Sequence, residues 1–322
     1  MERREINTLN ADSILVVHGR GFKPDIDSFL DVTTTALRAG VERDYPEERV
    51  HLSIVPIVFA YYGDLTNKLL EEKGQAGDMA LDLGDRRNAL HRLRDFNSRK
   101  RFNLRQYDRL PGKTALPEFL ADIGAPVLGA LGLTMPLIAS VSEDFHEYLA
   151  GTSDYKEKVR ARVREKMCKL LERGDRVLLI THGTGCVVAY DVLWQLSHDP
   201  LYAERFGQFK IDTWLTLGAP LGDHYLQKRL LGSGPGSKES FPTNIISWYN
   251  VSAEDDYTCH DGTVADDFKA MLREHIVSVV KDYKIYNLSV RYGKSNPHSS
   301  VGYYIHPRVA KIIVNWMNAP VT

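Results

Sequence analysis

Short apolar runs alternate along the chain with longer segments of helical periodicity. Residues 14–17 (ILVV) form a β-branched run that ends in the loop HGRG, and a helix is predicted from about 27 to 43. Residues 50–62 are typical of a second buried strand, with Pro56 at a bulge or an edge. The pattern predicts a strand, a loop, a helix and a second strand.

The same alternation returns in the second half of the chain. Further strands are predicted at 177–180, 213–217, 244–251 and 284–290, and helices at 143–173 with a break near Gly151, 184–197, 264–281 and 307–318. Strands separated by helices of this length require a mostly parallel central sheet with helices on both faces. We therefore expect residues 1–322 to form a single α/β domain.

Residues 63–143 interrupt the alternation and predict a helical or irregular cap within that domain. Residues 123–142 lack charge over the length of a membrane span, but Pro126, Pro136 and three glycines break the stretch. A cap could line a pocket for an apolar ester or make peripheral membrane contact through 114–142. The alternative, which we rate equally, is that the insert consists of ordinary core helices.

An arginine-rich stretch, residues 85–109, holds nine basic and three acidic side chains. Such a stretch could bind anionic headgroups, but a solvated face or flexible arm is the interpretation that we favour. Over the whole chain, 41 Lys and Arg balance 42 Asp and Glu, so we expect no nucleic-acid partner. Three cysteines without a CxxC pair, and no apolar segment after the first residues, predict a cytoplasmic protein.

Residues 178–186 (LLITHGTGC) predict a strand, a tight turn and the start of a helix. In the nucleophile-elbow pattern G-x-S-x-G, small residues flank a central serine at two positions before and after it. Gly185 and Thr181 take the flanking positions, which places Gly183 where the serine is expected. Because glycine adopts the strained central conformation freely, this change would remove the nucleophile and relax the backbone.

An acid and a histidine follow in the order that such a site needs. Asp255 and Asp256 come directly after the strand predicted at 244–251, and His298 lies in a loop just before the last helix. His260 and His224 are alternatives for the base. This order would bring a carboxylate and an imidazole to the edge of the sheet that carries the turn at Gly183.

The segments VVHGRG, THGTGC, LTLGAPLGD, WYNVSAEDD and NPHSSVGYYIHP together resemble the α/β-hydrolase superfamily, specifically its serine esterases and lipase-like members. The resemblance spans residues 14–317 apart from the insert. It implies Asp256 as the acid, with Asp255 as the fallback, and His298 as the base. It also implies that the backbone N–H groups of Arg20 and Thr184 form the oxyanion hole.

These observations predict a serine-type carboxylic ester hydrolase for an apolar or lipid-like ester, inactive because Gly183 replaces the nucleophile. We favour an engineered variant, since Asp256 and His298 have no obvious use without the serine. The alternative is a natural pseudoenzyme that binds a ligand or a partner through the same pocket. Cys186 as a substitute nucleophile, and a metal site from His224 and residues 260–261, are minor alternatives. No cofactor is indicated.

Overall fold

Six parallel strands form the central sheet of the protein. The computed structural model describes residues 11–112, 142–234, 238–259 and 263–320. The strands are β1 (Asp12–Val17), β2 (Ile57–Ala60), β3 (Arg176–His182), β4 (Ile211–Leu217), β5 (Ile245–Ala253) and β6 (Val279–Ile285). They lie in the order β2-β1-β3-β4-β5-β6, and a separate antiparallel pair joins β7 (Val290–Arg291) to β8 (Lys294–Ser295). The predicted α/β class with a parallel sheet is confirmed.

Helices cover both faces of this sheet. They are α1 (Ile26–Asp44), α2 (Arg49–Ile54), α3 (Gly63–Glu72), α4 (Met79–Arg94), α5 (Leu104–Tyr107), α6 (Glu143–Ala150), α7 (Tyr155–Glu172), α8 (Gly185–His198), α9 (Pro200–Phe206), α10 (His224–Gln227), α11 (Lys269–Arg273), α12 (Ser300–Tyr304) and α13 (Pro307–Met317). Apolar side chains of α1 and α13 pack on one face, and those of α7 and α8 pack on the other.

The first strand shows why its residues 14–17 form a continuous apolar run. Ile14 and Val16 of β1 belong to the core beneath α1 and α13, whereas Leu15 and Val17 belong to the core beneath α7 and α8. All four side chains are fully buried. Successive side chains of a strand point to opposite faces, so a strand covered on both faces reads as a continuous apolar run.

The second predicted strand is wrong in its first half. Only Ile57–Ala60 join the sheet, while Arg49–Ile54 form α2, with Leu52 buried and Val50 and Ile54 more than 70% exposed. Pro56 has no N–H to donate, and its carbonyl accepts from Ile14, so the edge strand β2 begins directly after it. The expected edge position of Pro56 is confirmed.

The helix predicted at 264–281 is also wrong for most of its length. Only Lys269–Arg273 are helical, and residues 279–281 belong to β6. His275 has a φ of 55°, which ends the helical path, and the Ser278 N–H donates to Ile246 at the start of the pairing with β5. Strand β6 therefore lies five residues earlier than the predicted start at 284.

The described part of the insert, residues 63–112 and 142–143, is mostly helical. Its helix α4 buries Ala89, Leu90 and Leu93 against the core beneath α1. Residues 113–141, which contain nearly all of the apolar stretch, lie outside the described residues, so the cap and its membrane contact stay predictions. Among the helices that are described, none has both the length and the apolar character that a membrane span requires.

Candidate active site

A sharp turn joins β3 to α8 at Gly183. Its φ is 55°, a conformation that side-chain-bearing residues rarely adopt, and its N–H donates to the carbonyl of Leu217 at 2.9 Å. A β-carbon on Gly185 would lie 2.3 Å from the carbonyl oxygen of His18, so only glycine fits there. The strand, the turn and the helix have the shape that the G-x-S-x-G pattern predicts.

His298 reaches this turn from the loop before α12. Its Nε2 lies 2.9 Å from the point that a β-carbon on Gly183 would occupy, and its Cε1 lies 3.2 Å from the same point. The two residues are 115 positions apart along the chain and adjacent in the site. A side chain on residue 183 would project directly onto the nitrogen that could take its proton.

Asp256 lies behind His298, three residues after the end of β5. The Nδ1 of His298 is 2.9 Å from Oδ2 and 3.0 Å from Oδ1 of this carboxylate, which is 4% exposed. The Thr258 hydroxyl donates to Oδ1 at 2.6 Å, and the Tyr303 hydroxyl donates to Oδ2 at 2.7 Å. Both carboxylate oxygens therefore have partners despite their burial.

These contacts keep Asp256 ionised. Burial alone would raise its pKa, but the charge of His298 and the hydrogen bonds from His298, Thr258 and Tyr303 outweigh burial and hold the pKa below its ordinary value. An ionised carboxylate at Nδ1 orients the imidazole with Nε2 towards Gly183. Asp255 points elsewhere: its φ is 58°, and its carboxylate accepts from Tyr107 of α5 at 2.6 Å.

Two further histidines shape the site. The Nε2 of His182 hydrogen-bonds to the backbone carbonyl of His298 at 3.0 Å, which ties the histidine loop to the turn. The Nε2 of His18 accepts from the Tyr62 N–H at 3.1 Å, and its Nδ1 lies 2.9 Å from the carbonyl of Gly19. Burial lowers the pKa of both imidazoles well below the usual value, so both are neutral at neutral pH.

The loop after β1 lies against the turn. The Gly19 Cα is 4.0 Å from the β-carbon position of Gly183, and a β-carbon on Gly19 would lie 3.6 Å from the backbone nitrogen of Thr184. The Gly21 N–H donates to Asp144 of α6 at 2.6 Å, which anchors this loop. Within the described residues, neither the Arg20 N–H nor the Thr184 N–H donates to the protein.

Comparison of the chain with protein-family models, with curated proteins and with solved structures found no match. The resemblance to α/β-hydrolases therefore depends on the motifs of this sequence and on their geometry.

A cleft of about 340 Å³ opens onto Gly19, His182 and His298. Its walls come from the loop after β1, from α4 of the insert and from the segment between β7 and α12. The charged side chains that line it are Arg20, Lys23, Asp82, Asp85, Arg86 and Arg291, and the apolar ones are Phe29, Ala89 and Val290. Thus part of the insert forms one wall of the site, whatever residues 113–141 do.

The alternative residues lie apart from this arrangement. Cys186 is fully buried, its Sγ accepts from the Thr181 hydroxyl, and burial raises its pKa to about 12, so it is a neutral core thiol. His224 is exposed at the start of α10 and lines a different cavity. Residues 260–262 lie outside the described residues, and no metal-binding group of side chains is found among those described.

Thr258, Tyr303 and His182 were missed by the sequence interpretation. His182 and Tyr303 stand inside the quoted motifs, but spacing alone gives them no role. Thr258 follows Asp256 by two residues, and its N–H donates to Asp256 Oδ1 at 3.1 Å, as in turns in which an aspartate side chain accepts from the backbone two residues on. Only the folded structure shows that the Thr258 hydroxyl also lies 2.6 Å from Nδ1 of His298.

Proposed function

We propose that this protein has the α/β-hydrolase fold and carries the site of a serine-type acyl hydrolase, with glycine at the nucleophile position. The observation that carries the proposal is the line of groups from Asp256 through His298 to the β-carbon position of Gly183. Gly183 and Asp256 come soon after the parallel strands β3 and β5, and His298 follows β6 and the β7–β8 pair, so the three meet at the carboxyl edge of the sheet, where ligands of open α/β folds bind.

With a serine at position 183, each group has a specific task. His298 Nε2 would take the hydroxyl proton as Oγ attacks the ester carbonyl, and would return it to the leaving alcohol. Asp256 would stabilise the imidazolium, and the Arg20 and Thr184 N–H groups would donate to the oxyanion. With Gly183 no atom can make the attack, so we expect at most about 10³- to 10⁴-fold acceleration over water.

The test is Gly183→Ser, followed by a fluorophosphonate probe and 4-nitrophenyl esters of short and long acids. We expect labelling at residue 183 and ester turnover, both abolished when His298→Ala is added. Gly183→Ala serves as the matched control that adds a β-carbon without a hydroxyl. A folded Gly183→Ser protein that neither labels nor turns over any ester would overturn the proposal.

The second candidate is a ligand-binding protein that uses the same cleft without chemistry. The observation that favours it is the position of the His298 ring, which would have to move to admit a β-carbon on Gly183. The natural coding sequence separates the candidates, because a serine codon at 183 indicates an altered enzyme and a glycine codon indicates a binding protein.

A further inference from the structure

Arg20 presents a charge to the cleft that no described residue pairs with. Its side chain lines the cleft beside His182 and His298 and is half-buried. Among the described residues, no carboxylate or carbonyl lies within hydrogen-bond or ion-pair distance of its guanidinium. Burial lowers its pKa, and the charges of Asp144 and Asp256 only partly offset this effect. The guanidinium is only partly shielded from water, and a bound anion would replace its water contacts with charge-assisted hydrogen bonds.

The rest of the cleft has an excess of positive charge. Arg86 and Arg291 both pair with Asp82, at 2.7 and 2.5 Å, so one acid serves two cations. Among the described residues, the Lys23 ammonium hydrogen-bonds to backbone carbonyls only, those of Arg20, Gly21 and Phe22. Asp85 is the other acid that lines the cleft, which gives four cationic side chains against two acidic ones.

We propose that this cleft binds a carboxylate group of the substrate, held mainly by the side chain of Arg20. The inference rests on the proposed function and narrows its substrate class to esters that carry a carboxylate on an apolar chain. A guanidinium donates two parallel hydrogen bonds to a carboxylate, which is the geometry that Arg20 can offer. Phe29, Ala89 and Val290 supply the apolar wall for the chain.

The small size of the charge excess favours one negative charge over two. Lys23 lies beside Arg86 and Arg20, and burial with these charges lowers its pKa to about 7, so it is only partly protonated at neutral pH. Among the side chains that line the cleft, the remaining excess is then between one and two positive charges, and the nearby Asp144 and Asp256 reduce it further. A single carboxylate balances it, whereas a phosphate dianion would exceed it when Lys23 is neutral.

Binding to the unaltered Gly183 chain tests the inference without any chemistry. The probes are monomethyl adipate, which carries one carboxylate, and dimethyl adipate, which is neutral, titrated by NMR at pH 7. We expect the acid to bind at least about tenfold more tightly than the diester, and Arg20→Met to lose about that factor, as for other charge-assisted contacts. Arg20→Lys should retain part of it, and Arg87→Met, which alters an exposed arginine of α4, should change nothing.

A second arm uses Gly183→Ser with two esters of matched shape, mono(4-nitrophenyl) adipate and 4-nitrophenyl 6-methylheptanoate. The ratio of their kcat/KM values should favour the acid by about tenfold and fall towards one in the added Arg20→Met variant. Equal binding of the two adipates, or a preference that Arg20→Met leaves intact in a folded protein, would overturn the inference. Arg20-dependent binding of monomethyl adipate with an unreactive Gly183→Ser would instead refute the hydrolase and keep the carboxylate site.

Discussion

His298 Nε2 lies 2.9 Å from the β-carbon position of Gly183, a separation below that of ordinary contacts between a β-carbon and another heavy atom. The nearest atoms belong to the edge of the imidazole and not to the backbone. A substituent at residue 183 is therefore accommodated by a small movement of the His298 ring. That movement has to stretch or tilt the contacts between Nδ1 and Asp256.

Gly183→Ala should lower the free energy of unfolding by about 1–3 kcal/mol, the cost of holding a side-chain-bearing residue in this strained backbone region. Gly74→Ala is the matched control, since Gly74 has a φ of 75° and a β-carbon there would meet nothing within 4 Å. We expect the larger loss at position 183, measured by urea denaturation. If the addition of His298→Ala does not reduce the difference between these two losses, the His298 ring is not what opposes a side chain at residue 183.

Tyr303→Phe should destabilise the protein by about 1–3 kcal/mol, because removal of the hydroxyl leaves buried polar groups unsatisfied. This hydroxyl donates to Asp256 Oδ2 and accepts from the Ala253 N–H at 2.8 Å. Tyr304→Phe is the control, since the Tyr304 hydroxyl is buried without a hydrogen-bond partner among the described residues. Thermal denaturation of both variants should show a loss for Tyr303→Phe alone, and equal losses would contradict the assigned role.

Sequence reasoning predicted the parts of the fold in which the local pattern and the burial agree. The strands β1, β3, β4 and β5 each have two neighbours in the sheet and are mostly apolar and mostly buried, so their sequence leaves little choice of structure. The failures lie at the edges of the sheet. Strands β2 and β6 have one neighbour each, and nearby sequence such as VHLSI alternates like a strand while forming helix α2.

The candidate site divides in the same way. Gly183, Asp256 and His298 follow strand ends, so the rule that parallel strands share one carboxyl edge already brings them together. The charges of the cleft could not be predicted. Asp82 and Arg86 come from the insert and meet Arg291 across more than 200 residues, a contact that depends on how α4 packs on α1. The prediction of an apolar ester depends on residues 114–142 and does not include these charged side chains.

Asp256→Asn should weaken the dependence of stability on pH in acid. The pKa of Asp256 is lower in the folded than in the unfolded protein, so its contribution to stability is present above the unfolded pKa of about 4 and is lost as pH falls towards the folded pKa. The two proteins should therefore differ most near pH 6 and converge below about pH 4. Unfolding free energies at a series of pH values check this, and parallel curves would contradict it.

Lys23→Met should remove a rise in stability on the alkaline side. Burial and the charges of Arg86 and Arg20 lower the pKa of Lys23 to about 7. The charges of Asp144 and Asp82 offset this effect only in part. Between about pH 7 and about pH 10 the unfolded chain holds a proton at Lys23 that the folded protein has released, so stability rises with pH, by at most about 1.4 kcal/mol per unit.

The measurement is the free energy of unfolding of the parent and Lys23→Met between pH 6.5 and about pH 10, the range in which the two protonation states exchange. The free energy of unfolding of the parent should rise relative to that of Lys23→Met throughout this range. Lys228→Met, which alters an exposed lysine outside the cleft, should follow the parent. If monomethyl adipate binds as inferred, its carboxylate should favour protonated Lys23 and shift the parent's rise to higher pH, whereas dimethyl adipate should leave the rise in place.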